Sequence, residues 1–305
     1  MISINIALCT CMRPSLLGNC LDSLADMAVP ENAKVFVTVV ENDENQSARP
    51  VVESRQDKFP FPLQYVIENK RGIPLARNKA IAEAHALNAD YLVFIDDDEW
   101  VDRHWLVLLL DYALSVGGKA VISGAVKSAL PENTPEYMRE IFRDKGRKTG
   151  SVLSSCATNN VLIPIFVTKE LGLRFDESRP LAGGTDTLFF CEAVSRGVSI
   201  YKCAEAFVSE DIPASRVSLR WLSKRKYRVG ITLAWRKRLS GRSTAGIVIS
   251  SLTQIVVNSL IALVASLLFQ KVVVIKAVMK ASRAAGTVSG VFGVEVDSYH
   301  TIDNS

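Results

Sequence analysis

The chain has 305 residues, of which 48% are hydrophobic and 22% are charged. This balance is typical of a folded protein with a large core and excludes a disordered chain. The formal net charge of +4 hides an asymmetry, because residues 1–215 carry 22 basic and 29 acidic side chains, whereas residues 216–305 carry 14 basic and 3 acidic ones. We therefore expect an acidic front part and a basic tail that face different partners.

Several kinds of site are disfavoured by what the sequence lacks. The six cysteines form no Cys-x-x-Cys pair and no cluster with histidine, so we predict buried thiols in a reducing compartment rather than a zinc site. The chain does not begin with a basic-then-apolar leader, and we expect no cleaved secretory signal. Neither a Gly-x-Gly-x-x-Gly motif after the first strand nor a loop ending in Gly-Lys-Ser/Thr is present. A bound nucleotide would need another means of neutralising its phosphates.

Strand-like and helix-like stretches alternate over the first part of the chain. Short apolar runs predict strands at 2–10, 34–40, 63–67 and 91–95. Apolar residues at helical spacing predict helices at 16–24, 74–87 and 105–114. This alternation indicates an α/β fold with a parallel sheet covered on both faces, in which ligands bind beyond the carboxyl ends of the strands. The polar residues at the strand ends, Thr10, Glu41 and Asp96, are therefore the first candidates for a site.

Four consecutive carboxylates, Asp96, Asp97, Asp98 and Glu99, follow the predicted strand at 91–95. Adjacent carboxylates repel one another unless a cation or water screens them. Clustered oxygen ligands suit Mg²⁺ or Mn²⁺, which proteins hold through one or two carboxylates together with substrate phosphates. A solvated acidic turn that caps the following helix is the alternative interpretation.

Two further motifs surround this acidic cluster. The segment 71–78 opens a helix with two arginines, and free helix N–H groups with a guanidinium suit a phosphate, although a solvated helix face is the alternative. Gly183 and Gly184 precede Thr185 and Asp186 at the start of an apolar helix. Asp186 is either a helix N-cap or, if it faces the acidic cluster, a general base for a sugar hydroxyl.

The order of these motifs over about residues 1–225 resembles that of family 2 glycosyltransferases with the GT-A fold. Within that family, the sequence is similar to bacterial exopolysaccharide glucosyltransferases of the succinoglycan type. It shares with them an Asn-Asp pair after the second strand, an Ala-Arg-Asn on the third helix and a triple Asp followed by Glu. The resemblance implies a GT-A-type mixed, mainly parallel sheet with helices on both faces in residues 1–225. We expect residues 226–305 to form a helical, membrane-associated tail.

The resemblance also implies roles for individual residues. Asp98 would coordinate Mg²⁺ or Mn²⁺, and Asp186 would be the catalytic base that matches the family's Gly-Gly-Glu-Asp motif. The positions implied to bind the nucleotide sugar are Thr10, Arg13, Glu41, Asp43, Arg77, Asn78, Asp96 (ribose) and Asp97. Those implied to contact the acceptor or a diphosphate are Gly183, Gly184, Arg220 and Trp221.

Three departures from the family pattern qualify these roles. Thr185 replaces the family's Glu, so one carboxylate that contacts or supports the acceptor is missing. Glu210 falls roughly where many members have a metal-binding His, and it is either a second oxygen ligand or uninvolved. The Arg-Trp motif of processive synthases is matched only with an extra residue, so Arg220 and Trp221 are interpreted only as acceptor or diphosphate contacts.

The tail is basic and then apolar. Residues 216–242 contain ten basic and no acidic side chains, and the uncharged stretch 243–270 has 17 apolar residues out of 28. The apolar stretch is long enough to cross a membrane, since about 20 residues suffice. A polar stripe of Ser251, Gln254 and Asn258 also fits an interfacial or oligomerising helix, and two core helices of one domain are a third alternative.

Beyond this stretch, Lys276, Lys280 and Arg283 share one face and predict an amphipathic surface helix. The greater positive charge before the apolar stretch favours a cytoplasmic front part, and anionic lipids would attract the basic belt. We therefore predict a peripheral or single-span protein at the cytoplasmic face of the inner membrane, with no nucleic-acid partner because no aromatic-rich binding motif is present.

Together these features predict an inverting, metal-dependent transfer of a sugar, glucose from UDP-glucose, to a lipid-linked oligosaccharide in exopolysaccharide synthesis. Two other functions stay open. A sugar nucleotidyltransferase shares a related sheet and a divalent metal, but needs a glycine-rich signature that residues 10–14 lack. A membrane-tethered scaffold would carry the same acidic loops as solvated turns.

Overall fold

The structure, a computed structural model, describes residues 1–143, 146–178, 180–181, 183–294 and 296. Within them, eight strands form one sheet in the order β3-β2-β1-β4-β7-β6-β8-β5. The strands are β1 (Ile2–Thr10), β2 (Ala33–Glu41), β3 (Leu63–Ile67), β4 (Tyr91–Asp96), β5 (Glu99–Val101), β6 (Val121–Ala129), β7 (Asn160–Pro164) and β8 (Ile200–Asp211).

Ten α-helices accompany the sheet in the described part of the chain. They are α1 (Pro14–Ala25), α2 (Arg49–Gln56), α3 (Ile73–Ala86), α4 (Trp105–Ser115), α5 (Glu136–Phe142), α6 (Phe166–Lys169), α7 (Thr185–Ser195), α8 (Leu219–Leu239), α9 (Thr244–Leu267) and α10 (Lys271–Val291). The strands and helices predicted over the first 115 residues are confirmed to within three residues at their ends.

The first half of the sheet is parallel. β1 pairs with β2 on one side and with β4 on the other, and β2 pairs with β3. This register sets Thr10 beside Glu41, and Cys9 beside Asp96. The carboxyl ends of β1, β2 and β4 therefore meet at one edge of the sheet, where ligands of such folds bind.

The second half of the sheet is mixed. β7 is antiparallel to both β4 and β6, β8 is parallel to β6, and the short β5 is antiparallel to β8. β5 begins directly after the acidic cluster and sets Glu99 opposite Glu210. The sheet is thus mixed but mainly parallel in its front half, and apolar clusters cover both of its faces, one around Leu21 and Trp105 and the other around Ile81 and Phe190.

The tail forms a bundle of three helices, α8, α9 and α10. The predicted domain boundary after residue 225 falls inside α8, so one continuous helix joins the two predicted parts. The predicted amphipathic helix around Lys276 is α10, which leaves Lys276 and Lys280 exposed and packs its other faces against both α8 and α9.

Glycines allow the close approach of α8 and α10. A Cβ on Gly286 would collide with the backbone of Tyr227, and one on Gly290 would come within 2.9 Å of the Cα of Ile231. The carbonyl oxygen of Tyr227 and the Cα of Ile231 belong to the backbone of α8, so they cannot move unless α8 itself shifts. The pattern of small residues that let helix backbones approach is familiar from membrane proteins, and here it joins two charged helices.

α9 has the composition of a membrane span. Among the described residues it is the one helix that is long and apolar enough to cross a membrane, with a mean hydropathy of 2.1 and only 17% of its most apolar window buried.

Candidate active site

A cavity of about 280 Å³ opens where β1 and β4 end. Its wall contains six of the residues predicted to bind the nucleotide sugar or a metal: Thr10, Arg13, Arg77, Asp96, Asp97 and Asp98. The first two come from the end of β1 and the following turn, Arg77 from α3, and the three aspartates from the end of β4. The parallel register of the strands therefore brings together residues that are more than 80 positions apart in the chain.

Asp97 is the buried centre of this wall. Its Oδ2 accepts a hydrogen bond of 2.7 Å from the Thr10 hydroxyl, and its Oδ1 lies 3.3 Å from Nη1 of Arg13. The same Nη1 lies 3.2 Å from Oδ2 of Asp98, so one guanidinium links two adjacent carboxylates. Burial, with the neighbouring charge of Asp98, raises the pKa of Asp97 to about 6 although Arg13 opposes the shift.

Asp96 and Glu99 form the second part of the acidic cluster. Glu99 is 2% exposed; its Oε2 accepts a hydrogen bond from the backbone N–H of Asp96, and its Oε1 accepts one from the side-chain amide of Asn159. Burial and the charge of Asp98 raise the pKa of Asp96 to about 7. Burial and the charge of Asp96 raise the pKa of Glu99 to about 10. These shifts reflect first the burial of the two carboxylates and then the negative charges held close to them.

Asn42 organises the opposite wall of the cavity and was not singled out in the sequence. Its side-chain amide donates to the carbonyl oxygens of Glu68 and Lys70, and its Oδ1 accepts from the backbone N–H of Gly72. These three bonds hold the loop that carries Arg71 over the cavity. The Asn-Asp pair after β2 was the available signal, but only the fold shows that the amide faces this loop.

The turn that precedes α7 lies next to the acidic cluster. Leu181, just before this turn, lines the cavity together with the three aspartates, whereas Asp186 is not part of the described wall. Burial and nearer charges raise the pKa of Asp96, and the charge of Asp186 adds a smaller contribution. Nη1 of Arg77 donates to the Thr185 hydroxyl at 3.3 Å, and Arg77 also lines the cavity. Arg77 therefore connects the wall of the cavity to the residue before Asp186.

The two glycines of this turn pack against the helical bundle. Gly184 has a φ of 90°, and a Cβ on it would collide with the side chain of Thr232 in α8. The Thr232 hydroxyl donates to the carbonyl oxygen of Gly183 at 3.1 Å. Gly184 is needed both for its left-handed backbone and for this contact. The turn is thus shaped by a helix of the tail.

Three predicted nucleotide-binding residues lie outside the cavity wall. Glu41 is fully buried at the end of β2, where its Oε2 accepts from the N–H of Ala48 and from the Tyr65 hydroxyl. Asp43 closes a local turn by accepting from the N–H of Asn45. Asn78 forms hydrogen bonds with both backbone groups of Phe175, and it does not line the described wall of the cavity.

The weaker candidates from the later part of the chain are spread out. Oε1 of Glu210 accepts from the Ser128 hydroxyl at 2.6 Å, and its charge adds to the raised pKa of Glu99. Arg220 is exposed at the start of α8. Trp221 lies between Arg216 and Arg225, whose guanidinium carbons are 5.9 and 5.3 Å from its ring. None of Glu210, Arg220 and Trp221 lines the described wall of the cavity.

The carboxylates of the cavity suit a hard divalent cation that a substrate would share. Asp96 and Asp98 reach the cavity, and their mutual repulsion is one of the causes of the raised pKa of Asp96. Within the described residues no group of three His, Cys, Asp or Glu side chains is arranged as a ligand set. Mg²⁺ and Mn²⁺ sites that depend on substrate phosphates need only one or two carboxylates. The donor set therefore fits such a cation.

The sequence and the fold define the protein class. The sequence profile described as "Glycosyl transferase family 2" matches residues 5–193, and the chain belongs to this family. The match covers β1 to β7, the acidic cluster and most of α7. The protein is therefore a glycosyltransferase.

A more specific likeness is to the succinoglycan biosynthesis protein ExoM of Rhizobium meliloti (strain 1021). The two are 37% identical over 237 residues, which cover 75% of this chain and 73% of ExoM. The similarity places the chain near enzymes of exopolysaccharide synthesis, in agreement with the resemblance inferred from the motifs.

Solved structures of glycosyltransferases confirm the GT-A fold. A mannosyltransferase from Pyrobaculum calidifontis, in complex with GDP-Man and Mn²⁺, has a TM-score of 0.67 at 17% identity, with 96% of this chain and 88% of that chain covered. S. aureus TarS 1–349, in complex with UDP-GlcNAc, has a TM-score of 0.56 at 15% identity, with 99% and 95% covered. The chain spans only 55% of a longer TarS structure.

Proposed function

We propose that the protein is an inverting, metal-dependent glycosyltransferase of exopolysaccharide synthesis. It transfers a hexose, glucose from UDP-glucose, to a lipid-linked oligosaccharide at the cytoplasmic face of the plasma membrane. The observation that carries this proposal is the cavity in which Thr10, Arg13 and three aspartates meet, beside the turn that presents Asp186.

The donor would bind with its nucleoside between the ends of β1 and β2 and its diphosphate over the aspartates. Arg13, Arg71 and Arg77 line the cavity and supply the positive charge that a glycine-rich loop supplies in other folds. Asp96 would contact the ribose. Glu41, Asp43 and Asn78 would then support the nucleotide through the segments that they brace rather than by direct contact.

Asp98 would hold a Mg²⁺ or Mn²⁺ ion, with Glu210 as a further oxygen ligand. When bound, such a cation offsets the charge that develops on the leaving diphosphate. In the structure, Nη1 of Arg13 lies 3.2 Å from Oδ2 of Asp98. Because an ion bound to Asp98 would repel this guanidinium, Arg13 would turn toward the donor phosphates when the ion binds. The proposal takes support from the Mn²⁺ complex of the structurally similar mannosyltransferase.

Asp186 would act as the general base. Its carboxylate takes the proton of an acceptor hydroxyl, whose oxygen attacks the anomeric carbon while the bond from that carbon to the β-phosphate oxygen breaks and UDP leaves. One displacement inverts the configuration, so an α-linked donor gives a β-linked product. Gly183 and Gly184 shape the turn that presents this carboxylate, and Arg220 and Trp221 would contact the acceptor's diphosphate.

The acceptor and the membrane follow from the tail and from the relative. ExoM is a succinoglycan biosynthesis protein, and we infer a lipid-linked saccharide acceptor of the same kind. The exposed apolar face of α9 and the basic residues of α8 favour a membrane surface as the place where this acceptor is met.

A donor screen tests the proposal. UDP-, GDP- and TDP-sugars are incubated with the purified chain, Mn²⁺ and lipids extracted from bacterial membranes, and release of the nucleoside diphosphate is measured. We expect release of UDP from UDP-glucose that requires both the lipid extract and the metal. Release of pyrophosphate from UTP and a sugar phosphate would indicate a nucleotidyltransferase instead. A chain that shows no Mn²⁺-dependent binding of UDP would be a scaffold.

A further inference from the structure

α9 buries polar side chains and exposes apolar ones, which is the opposite of the usual pattern for a helix of a globular protein. Its buried face includes two polar residues, Ser251 and Asn258, which are 1% and 8% exposed and bond to carbonyl groups of their own helix. Its exposed face is apolar and includes Leu252, Val256, Leu260, Leu263 and Leu267, each at least 49% exposed. Leaving such a continuous apolar stripe in water is unfavourable, so this face needs an apolar partner.

α9 is attached along its whole length to α10. The buried positions of α9 run from Ile247 to Ala265, which corresponds to about 27 Å of helix. Near the start of α9, Ile247 packs against Val291 at the end of α10, so the two helices form an antiparallel hairpin. A three-residue connection at 268–270 joins them. Because of these contacts, α9 cannot enter a membrane unless α10 enters with it.

α10 is unable to enter a hydrocarbon layer with α9. It carries Lys271, Lys276, Lys280 and Arg283, and such charges are strongly unfavourable at the centre of a membrane. Lys276 lies 3.6 Å from Glu140 of α5, and Nζ of Lys271 lies 5.2 Å from the Tyr137 ring centre. Together with the glycine contacts to α8, these interactions dock α10 on the α/β domain.

Cations cluster near the junction of α8 with α9 and α10. Burial and the charges of Arg225 and Arg283 lower the pKa of Lys226, and burial and the charges of Arg242 and Arg283 lower the pKa of Lys237. No ion pair to a carboxylate is recorded for Lys226, Lys237, Arg242 or Arg283 within the described residues. Anionic lipid headgroups would stabilise mutually repelling cations of this kind.

We propose that α9 lies in the plane of an anionic bilayer, with its apolar face among the acyl chains near the headgroups, and does not cross the membrane. The connection at 268–270 then stays on the same side of the membrane as the α/β domain. The inference rests on the proposed function in one respect: a lipid-linked acceptor is the reason why the enzyme would need a membrane surface. Thr232 of α8 touches the turn that presents Asp186, so the same bundle would hold that turn near the lipid surface.

Sedimentation with vesicles tests the lipid contact without donor or acceptor. The purified full chain is mixed with vesicles of phosphatidylcholine alone or with phosphatidylglycerol. We expect binding at least about tenfold tighter to the anionic vesicles, and weaker binding at high salt. Leu260→Asp should weaken binding at least about tenfold. Val152→Asp, at a residue of the α/β domain that is 68% exposed, is the matched control and should bind as the parent does. Equal unfolding midpoints establish that the variants fold.

Accessibility of a single added cysteine tests the orientation. Gln270→Cys lies in the connection between α9 and α10, and the six native cysteines all lie at or before residue 203. In right-side-out membrane vesicles from an expressing bacterium, an impermeant maleimide should label this cysteine only after the vesicles are lysed. Labelling of intact vesicles at the added cysteine would show that α9 spans the membrane and would overturn the proposal.

A second copy of the chain is the competing occupant of the apolar face. If it covers α9, light scattering in detergent-free buffer will show a dimer that Leu260→Asp dissociates, and neither form will bind anionic vesicles. That result would also overturn the proposal. A failure of the donor screen together with anionic vesicle binding would leave the lipid contact standing and reject only the proposed function.

Discussion

Arg77 donates a hydrogen bond of 3.3 Å to the hydroxyl of Thr185, the residue directly before Asp186. The guanidinium also lies 5.4 Å from the centre of the Phe175 ring, so it is held by one polar and one aromatic partner. Arg77 thus forms part of the cavity wall and also contacts the first residue of α7.

Replacing the hydroxyl of Thr185 should loosen Arg77. Thr185→Val keeps the shape of a buried side chain that is 4% exposed but removes the acceptor, and a hydrogen bond to a charged group contributes about 1.5–3 kcal/mol. If the whole of this energy is lost, we expect the KM for the nucleotide sugar to rise roughly 10- to 150-fold with kcat changed less. Steady-state kinetics measure this, with Thr187→Val, two residues further along α7, as control. Equal effects at both positions would mean that the helix, not the bond, matters.

Asp186→Asn should abolish transfer. The amide has the size of the carboxylate but accepts no proton, and general base catalysis contributes about 10²–10⁴-fold. We expect kcat to fall by at least about 10²-fold, with UDP affinity by calorimetry within about twofold of the parent. An Asp186→Asn enzyme that turns over normally would remove this residue from the role of base.

The metal can be assigned by comparing two carboxylates. Asp98 lines the cavity and its side chain is 22% exposed, whereas Glu210 lies outside the cavity wall and accepts a hydrogen bond from Ser128. We expect Asp98→Asn to weaken Mn²⁺ binding in the presence of UDP at least about tenfold, as removal of a direct ligand does, and Glu210→Gln to change it less. Calorimetric titration distinguishes them, and the reverse order would identify Glu210 as the main ligand.

Asp97 should make the stability of the metal-free protein depend on pH. Its pKa is raised from the ordinary 3.8 to about 6, so the folded state binds this proton more tightly than the unfolded chain does. The free energy of unfolding therefore decreases as the pH rises from about 4 to about 6, by at most roughly 3 kcal/mol for this one group. Above the folded pKa the loss is complete.

Asp97→Asn should lack this slope. Urea unfolding at pH 5 and pH 7 measures the difference between parent and variant, and the exposed Asp57→Asn serves as control. Parallel profiles for the parent and Asp97→Asn would contradict the shift assigned to Asp97.

Gly184→Ala should be destabilising for two separable reasons. A left-handed backbone costs a non-glycine residue about 1–2 kcal/mol, and the added Cβ would collide with Thr232 at a further cost of about 1–3 kcal/mol. Gly197 has a similar φ of 86° with open space around it, so Gly197→Ala carries only the first cost. Chemical denaturation measures the loss of unfolding free energy for both variants. Adding Thr232→Ala to Gly184→Ala should recover the part of the loss that the clash causes. Equal losses at the two glycines would exclude the clash.

The parallel half of the sheet could be predicted from local patterns, while the other half could not. β1 to β4 are apolar runs separated by helices with clear spacing, and their ends were placed to within a residue or so. β5 has three residues and forms only because β8 is beside it. β6 and β8 carry mixed polar and apolar residues, β7 is an apolar run of only five residues, and the pairing of all three depends on partners distant in sequence. Short strands of this kind have too little local signal to be recognised alone.

The candidate site likewise contains some residues that local patterns predict correctly and others whose contacts only the fold shows. Thr10, Arg13, Arg77 and the aspartates were found because they follow strand ends or open helices, where sheet geometry directs them to one edge. Glu41 and Asn78 follow the same rule, yet they brace neighbouring segments. Which side of a strand end or helix a polar residue faces depends on what packs there. Asn42 was missed for the same reason.

The amino-acid sequence by itself determined the fold class and the acidic cluster, because strand and helix periodicity, turn glycines and consecutive carboxylates are local properties of the chain. The order of its motifs carried the resemblance to the family. Only the tertiary structure decided that α8 shapes the turn before Asp186 through Thr232 and that α10 lies between α8 and α9. The first depends on Gly184, which leaves room for the side chain of Thr232, and the packing of α10 on α8 depends on Gly286 and Gly290, where the two backbones meet. A close approach between helices is a property of the pair, and neither helix carries it in its own hydropathy pattern.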